Sequence, residues 1–445
     1  MSRRTKEING ITLIALVITI IVLLILAGVS IAMLTGNNGI LAQANNAKIT
    51  TEDKGAEEKV KLAVMAAKSQ SNDGTLDADK LIEELQNNYK GTGTKKNEGF
   101  PVTATVDGKQ FTVDENGNVE EKTIKKISSV TSSYVEKNTQ VEDEYGNTFM
   151  LPEGFKVRKD ETTNNADTVD KGIVIEDREG NQFVWIPVGT FNKDKNGETK
   201  EEVILGRYDF ASDGTPSNYT GNYKEADLGY GNAIAKDIED FKSKANSNHG
   251  YYIGRYEAGV ENGILDTSAM TNGYTAPNKN WTGYVATEGK NLKLVCKSGQ
   301  QPWNYVTQNK ASELSKTMYT GKTYESDLIN SYAWDTAIVF IQKCGTKTNS
   351  KTYSIQIGQS TNTSAPSITG TRLLKATNDV DEQCNIYDMA GNECEWSTET
   401  SSNAGGPCVG RGGCYNNSSY CTSGCVYLNI TYANSTYSFR QLLYL

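Results

Sequence analysis

Apolar and polar positions are distributed unevenly along these 445 residues. From Ile11 to Leu34 almost every position is apolar, a run about as long as a helix needs to cross a bilayer. It follows at once on the basic leader Met-Ser-Arg-Arg-Thr-Lys-Glu-Ile-Asn-Gly10. An ordinary secretory signal has an apolar core of only about 7–15 residues, so the pattern predicts a membrane segment that Gly36-Asn-Asn-Gly39 interrupts. From Ile40 to Ala67 the apolar Leu41, Val60, Leu62, Ala63 and Ala66 lie among Glu57, Glu58, Lys59 and Lys61, which predicts an amphipathic helix. Asp77 stands where it can cap a short helix. Val102 to Val113 alternate strictly on both sides of Asp107-Gly108, a hairpin signal. Residues 119–140 are polar and read as a linker with no core of its own.

From about Glu142 the texture changes to short strands, Gly-rich turns and spaced aromatics. Gly180 to Gly189 and Gly250 to Gly259 read as strands, and Ala333 to Ile341 as a helix with Trp334, Ile338 and Phe340 or Ile341 inward. Asn385 to Trp396 reads as strand, turn and strand, the turn made by Gly391-Asn392 at positive φ. The expected divisions are a leader 1–10, a stem 11–118, a linker 119–140 and a domain 141–445.

Composition singles out one segment. Arg411-Gly412-Gly413 and Phe439-Arg440 frame residues 414–438, which hold no charged residue in a chain that is 22% charged. Tyr offers large, stiff contact area, and Ser, Asn and Gly offer adaptable hydrogen bonds, which is the chemistry of antibody loops. The plain alternative is a polar strand pair that closes an ordinary domain. Candidate ligand-binding residues are Cys414, Tyr415, Asn416, Asn417, Ser419, Tyr420, Cys421, Cys425, Tyr427, Asn429, Thr431, Tyr432, Asn434, Thr436 and Tyr437, on a structural frame of Trp396, Arg411, Gly412, Gly413, Phe439 and Arg440. A net charge of −9 with no basic stripe argues against nucleic acid. Eight Cys without a Cys-x-x-Cys pair and a single His argue against a zinc site. Cys384 and Cys394 flank one turn and could form a disulfide. No acid pair or Ser/His constellation stands out, Asp335 and Asp388 read as turn or cap residues, and neither a catalytic residue nor a cofactor or metal is expected.

Three resemblances sharpen this reading. The leader abutting Ile11-Thr-Leu-Ile-Ala-Leu-Val resembles type IV prepilins. That implies cleavage between Gly10 and Ile11 by a prepilin peptidase and assembly with other pilin subunits from the membrane to the cell surface. Ala15 stands where the family usually has Glu, which suits a minor or tip subunit. The stretches at 180–189, 250–259, 333–341 and 385–396, with Arg411-Gly-Gly and Ser438-Phe-Arg440, resemble the formylglycine-generating-enzyme-like domain, a C-type lectin variant. The fold class so implied is α+β: a long N-terminal pilin-type helix with a small antiparallel sheet, then a C-type-lectin-like mixed domain. The oxidases of that fold need two Cys five positions apart to hold copper, whereas Cys421 and Cys425 are four apart. The framed C-terminal segment resembles the variable proteins of diversity-generating retroelements. Adenine mutation of an Asn codon yields codons that never encode Lys, Glu, Gln, Trp or Met, and 414–438 contains none of these five. The resemblances imply a surface-displayed adhesin or receptor-binding protein with a diversifiable face, its partner a protein or glycan on another cell, a phage or a host. The alternatives are a minor pilin with a fixed assembly role and, behind it, a formylglycine-generating oxidase.

Overall fold

The computed structural model describes residues 40–71, 74–96, 99–107, 109–122, 124–159, 167–353, 382–415 and 421–445, with side chains from Gly55 onward. They form two compact units, one ending at Thr123 and one from Ile124 to Leu445.

The first unit joins two helices to a four-stranded antiparallel sheet. Helix Ile40–Ser69 buries Ala56, Val60, Ala63, Val64 and Ala67, while Glu58, Lys61, Leu62 and Met65 face outward. Helix Ala78–Tyr89 is capped by Asp77, whose Oδ1 accepts the N–H groups of Asp79 and Lys80 at 2.9 and 3.1 Å. Strands Gly99–Val106 and Lys109–Val113 pair with Val106 opposite Lys109, so the turn falls where Asp107-Gly108 predicts it. The alternation then puts Val102, Ala104, Val106, Phe111 and Val113 on one buried face.

The second unit is built on a six-stranded sheet in the order Glu325–Leu328, Gln441–Tyr444, Gly250–Gly254, Gln182–Pro187, Val174–Asp177 and Phe155–Val157. The C-terminal strand therefore lies inside the sheet, with Tyr252 opposite Leu443 and Asp327 opposite Leu442. Helix Ser331–Cys344 covers it, burying Trp334, Ile338, Phe340 and Ile341. A second sheet has the order Cys425–Leu428, Cys408–Arg411, Cys394–Thr400 and Tyr437–Phe439, the last pair parallel. Its core holds Trp396, Trp303, Phe439, Cys394 and Tyr437. Residues 412–436 thus leave one anchored strand and return to another, which Arg440 alone separates from strand Gln441–Tyr444 of the first sheet.

Three expectations need correction. The fold is sheet-rich, with nine sheets of short strands and five helices among the described residues, and the long pilin-type helix that defined the expected fold class is not among them. Helix Ile40–Ser69 is instead the amphipathic cover of a sheet, and Ile11–Leu34, Gly10 and Ala15 lie outside the described residues. No described helix is long and apolar enough to cross a membrane. Residues 119–140 are not a coreless linker: Val119–Lys122 pairs with Lys109–Val113, Ile124–Lys126 pairs in parallel with Thr139–Glu142, and Ile127, Val130 and Val135 are buried. Their apolar residues are too widely spaced to show a period, but Ile127, Val130 and Val135 each find a place in the core. Cys384 and Cys394 are both free thiols; Cys394 instead touches Cys414.

Candidate functional site

The framed segment rests on two buried guanidinium clamps. Strand Cys394–Thr400 carries both acids, Glu395 and Glu399, with its register against Cys408–Arg411 shifting between Trp396 and Thr400. Arg440 donates through Nε and a terminal nitrogen to both oxygens of Glu395, at 2.9 and 2.5 Å, and its remaining donors reach the carbonyls of Gly254 and Tyr387 at 2.8 Å. Arg411 donates in the same forked way to Glu399, at 2.5 and 2.9 Å, and to Asp335 at 3.0 Å. A planar fork matched to a carboxylate fixes orientation as well as distance. Asp335 is therefore an ion-pair partner inside the core, and not the cap that its sequence context suggests. Burial pushes the Glu399 carboxyl up, but Arg411 and Arg207 outweigh it and hold the group below the ordinary carboxylate range. Asp335 is pushed by burial to about 6.

Gly412 has φ +75° and lies so close to its neighbours that a Cβ would stand 3.0 Å from the Met389 carbonyl and 3.2 Å from the Trp334 ring. Only glycine fits there. Trp334 in turn donates to the Thr422 carbonyl at 3.0 Å, and Trp396 to the Val306 carbonyl at 2.9 Å. Gly413, Phe439 and Trp396 are buried as well, so all six residues expected as the frame lie in the interior.

The candidate binding residues divide in two. Tyr415 is buried in the main core, with its N–H on the Asn392 carbonyl at 2.7 Å and its hydroxyl 3.0 Å from Ser435 Oγ. Tyr437 stacks on Trp396 at 4.8 Å, and Cys414 and Thr436 are also buried. Of these four, Tyr415 belongs to the first core and Cys414 and Tyr437 to the second. A binding role from direct contact is withdrawn for them. Tyr432 is half-buried, edge-on to Tyr437 at 5.3 Å.

The outward set lies along the edge strand Cys425–Leu428, where exposure alternates as the pleat requires. Val426 and Leu428 pack on the second core, while Cys425, Tyr427 and then Asn429 face solvent, Tyr427 being 48% exposed. Gly406 makes room for that ring, since a Cβ there would stand 2.7 Å from Tyr427 Cδ2. Thr431 and Asn434 are half-buried beside them. Asn416, Asn417, Ser419 and Tyr420 lie outside the described residues. The Cys421 thiol touches Ser423 Oγ at 3.5 Å and the Cys425 thiol contacts the Tyr223 hydroxyl. Among the described residues no group of three or more His, Cys, Asp or Glu is placed to hold a metal ion.

Two further segments pack against the framed one, and sequence reading missed both. Tyr223 comes from residues 207–223, where Arg207 stacks on Tyr219 at 4.0 Å and donates to Glu399. Tyr274 comes from residues 266–283 and meets Tyr432 at 5.9 Å. A signal was available: Thr271-Asn-Gly-Tyr-Thr275 has the same residue types as the framed segment.

No family model matches this chain, and no curated protein does. Among solved structures it is similar to PvdO from Pseudomonas aeruginosa, at 13% identity and a TM-score of 0.33, covering 61% of this chain and 98% of that one. It is also similar to CarF, at 14% identity and a TM-score of 0.27, covering 44% of this chain and 87% of that one. Both scores are too low to carry the fold, which rests on the elements described above. Neither the prepilin nor the retroelement resemblance gains support from these comparisons.

Proposed function

We propose that the chain is a binding protein whose C-terminal edge strand, with the residues after it, forms a replaceable ligand-contacting face. The observation that supports this most is the alternation on Cys425–Leu428: an uncharged outer row of Cys425, Tyr427 and Asn429 stands over an inner row fixed by core packing. Side chains on such a row can change at little cost to the clamps at Arg411 and Arg440, because exposed substitutions away from special features usually shift stability by no more than about 0.5 kcal/mol. Among the described residues no strand pairs with its outer side, and an unpaired edge is otherwise a liability that proteins blunt with charge or proline. Here the edge carries neither, which fits a surface kept open for a partner.

Rewriting of this segment by a diversity-generating retroelement belongs to the proposal. The gene should then lie beside a reverse transcriptase gene and a near-identical repeat that differs from the coding segment almost only at adenines. Differences should fall on Cys425, Tyr427 and Asn429 and spare Tyr415 and Tyr437. A locus without such a repeat in any strain removes diversification and leaves a fixed binding surface.

Attachment to the membrane through residues 11–34, cleavage after Gly10 by a prepilin peptidase and display of the second unit outside the cell complete the proposal, and they stand on the leader sequence. Mass spectrometry of the native protein should find a chain that starts at Ile11. An intact Met1 would reduce this part to a simple membrane anchor.

A further inference from the structure

Cys394 and Cys414 meet inside the second core, 1% and 5% exposed. They are twenty residues apart in the chain, and the strand register brings them together. Glu395 lies opposite Arg411, and the Tyr415 N–H donates to the Asn392 carbonyl at 2.7 Å, so 392–395 and 411–415 run side by side in opposite directions. The two contacts differ in register by one residue, and between them Gly412 takes φ +75°. A left-handed Gly is how a strand pair accommodates one extra residue. Beyond that kink the Cys414 thiol lies against the Cys394 thiol, whose sulfur is also 3.8 Å from the Gly412 carbonyl.

The surroundings leave the two sulfurs to each other. Trp303, Trp396, Tyr437 and Phe439 complete the same core. Contact with Cys414 and burial hold the Cys394 thiol well above its ordinary range, so the thiolate that attacks or ligates is disfavoured once the core has closed. Among the described residues no group of three or more His, Cys, Asp or Glu is placed to hold a metal ion, which sets this pair apart from a metal thiolate. Cys296, also buried, is spent differently: its sulfur lies on the main-chain carbonyls of Gln182 and Tyr256, at 2.9 and 3.6 Å.

We propose that Cys394 and Cys414 are joined by a disulfide in the mature protein, a staple between the start of the framed segment and the strand that carries Glu395 and Glu399. The oxidant is a second disulfide, of the glutathione or thiol-oxidoreductase class. One Cys attacks it as the thiolate and forms a mixed disulfide, and the other Cys then displaces the remaining sulfur. Two S–H bonds are lost and one S–S bond forms in the protein; the two electrons and two protons leave on the oxidant as two thiols. Because both sulfurs are buried in the folded unit, the exchange takes place before the core closes over them. The staple holds the end of 412–436 at which the chain leaves the frame, while Arg440 clamps the end at which it returns. It restricts the unfolded chain as well, which is how such bonds stabilise. It holds whether or not the C-terminal face binds a ligand, and it suits a chain displayed outside the reducing cytosol.

The test needs no ligand and no particular compartment. The full chain in detergent is reduced, unfolded and refolded in mixtures of reduced and oxidised glutathione, then quenched with acid and alkylated. Cutting after Glu, Arg and Tyr without reduction puts Cys394, Cys408 and Cys414 on separate fragments for mass spectrometry. The expected product is one linked pair, Cys394 with Cys414, dominant even where reduced glutathione is in excess, with Cys296 and Cys408 alkylated. Oxidised protein should also melt several degrees above reduced protein, and this shift should survive in Cys408→Ala and vanish in the double variant Cys394→Ala with Cys414→Ala. Alkylation of both Cys394 and Cys414 across the whole range, or their linkage to other cysteines, overturns the proposal, and so does a melting shift that persists in the double variant. Should the double variant fail to fold, the linkage found in the parent decides.

Discussion

At the scale of single residues, the face depends on groups that never reach it. Glu225 shows how far the buried charge has been pushed. Its carboxylate accepts the Ser331 N–H and the Thr398 hydroxyl, both at 2.7 Å, close to Glu399. Burial first, and then repulsion from Glu399, raise it from 4.5 to about 7. For an acid raised in this way, the folded state binds its proton more tightly than the unfolded state does. Stability is then greatest below about pH 4.5 on this account and is lost as pH rises towards 7. Glu225→Gln keeps the acceptor for Ser331 and removes the titration. Denaturant melts should find the variant equal to the parent near pH 4 and more stable at pH 8, by an amount on the order of 2 kcal/mol after allowance for partial exposure. A gap that does not widen with pH would show that Glu225 is ionised throughout.

Residue by residue, the frame was legible and the face only half so. Arg411, Gly412, Gly413, Trp396, Phe439 and Arg440 announce themselves because buried Arg and left-handed Gly are demanding positions, and all six are buried. Tyr415 and Tyr427 cannot be told apart by type, yet one lies in the core and the other is 48% exposed. The difference is made by the path of the chain after Gly412, and no periodicity marks that path.

At the scale of elements, local patterns that close on themselves were readable and those that need a distant partner were not. The Asp107-Gly108 hairpin, the Asp77 cap and the helix around Trp334 follow from rules spanning a few residues. So does a recurring turn that sequence reading passed over. In Asp114 to Asn118, Asp143 to Asn147 and Asp177 to Asn181 the Asp accepts the N–H groups two and four residues on, and its second oxygen takes the Asn side chain at 2.7–2.8 Å. Each has Gly at positive φ before the Asn, so the spelling Asp-x-x-Gly-Asn is the signal. The linker reading of 119–140 failed for the opposite reason. Ile124–Lys126 becomes a strand only because Thr139–Glu142 lies alongside it, and Ile127 and Val130 become core only in the presence of distant side chains. The same holds for Tyr274, whose ring partner Tyr432 stands 158 positions on in the chain.

At the scale of the molecule, the second unit separates what must stay from what is free to change. Its C-terminal strand Gln441–Tyr444 is locked between Glu325–Leu328 and Gly250–Gly254, and the strands on either side of 412–436 are clamped by Arg411 and Arg440. The excursion between them carries an inward row that belongs to the core and an outward row that does not. The most direct test is a stability measurement on two full-chain libraries displayed on cells, sorted by resistance to protease. In one library Cys425, Tyr427 and Asn429 are randomised together; in the other Tyr415, Thr436 and Tyr437. The account predicts that most members of the first resist protease as the parent does. Most of the second should lose resistance, because each truncated buried aromatic costs about 3–5 kcal/mol against a total of about 5–15. Equal losses in the two libraries would contradict the separation of face from frame on which the proposed function rests.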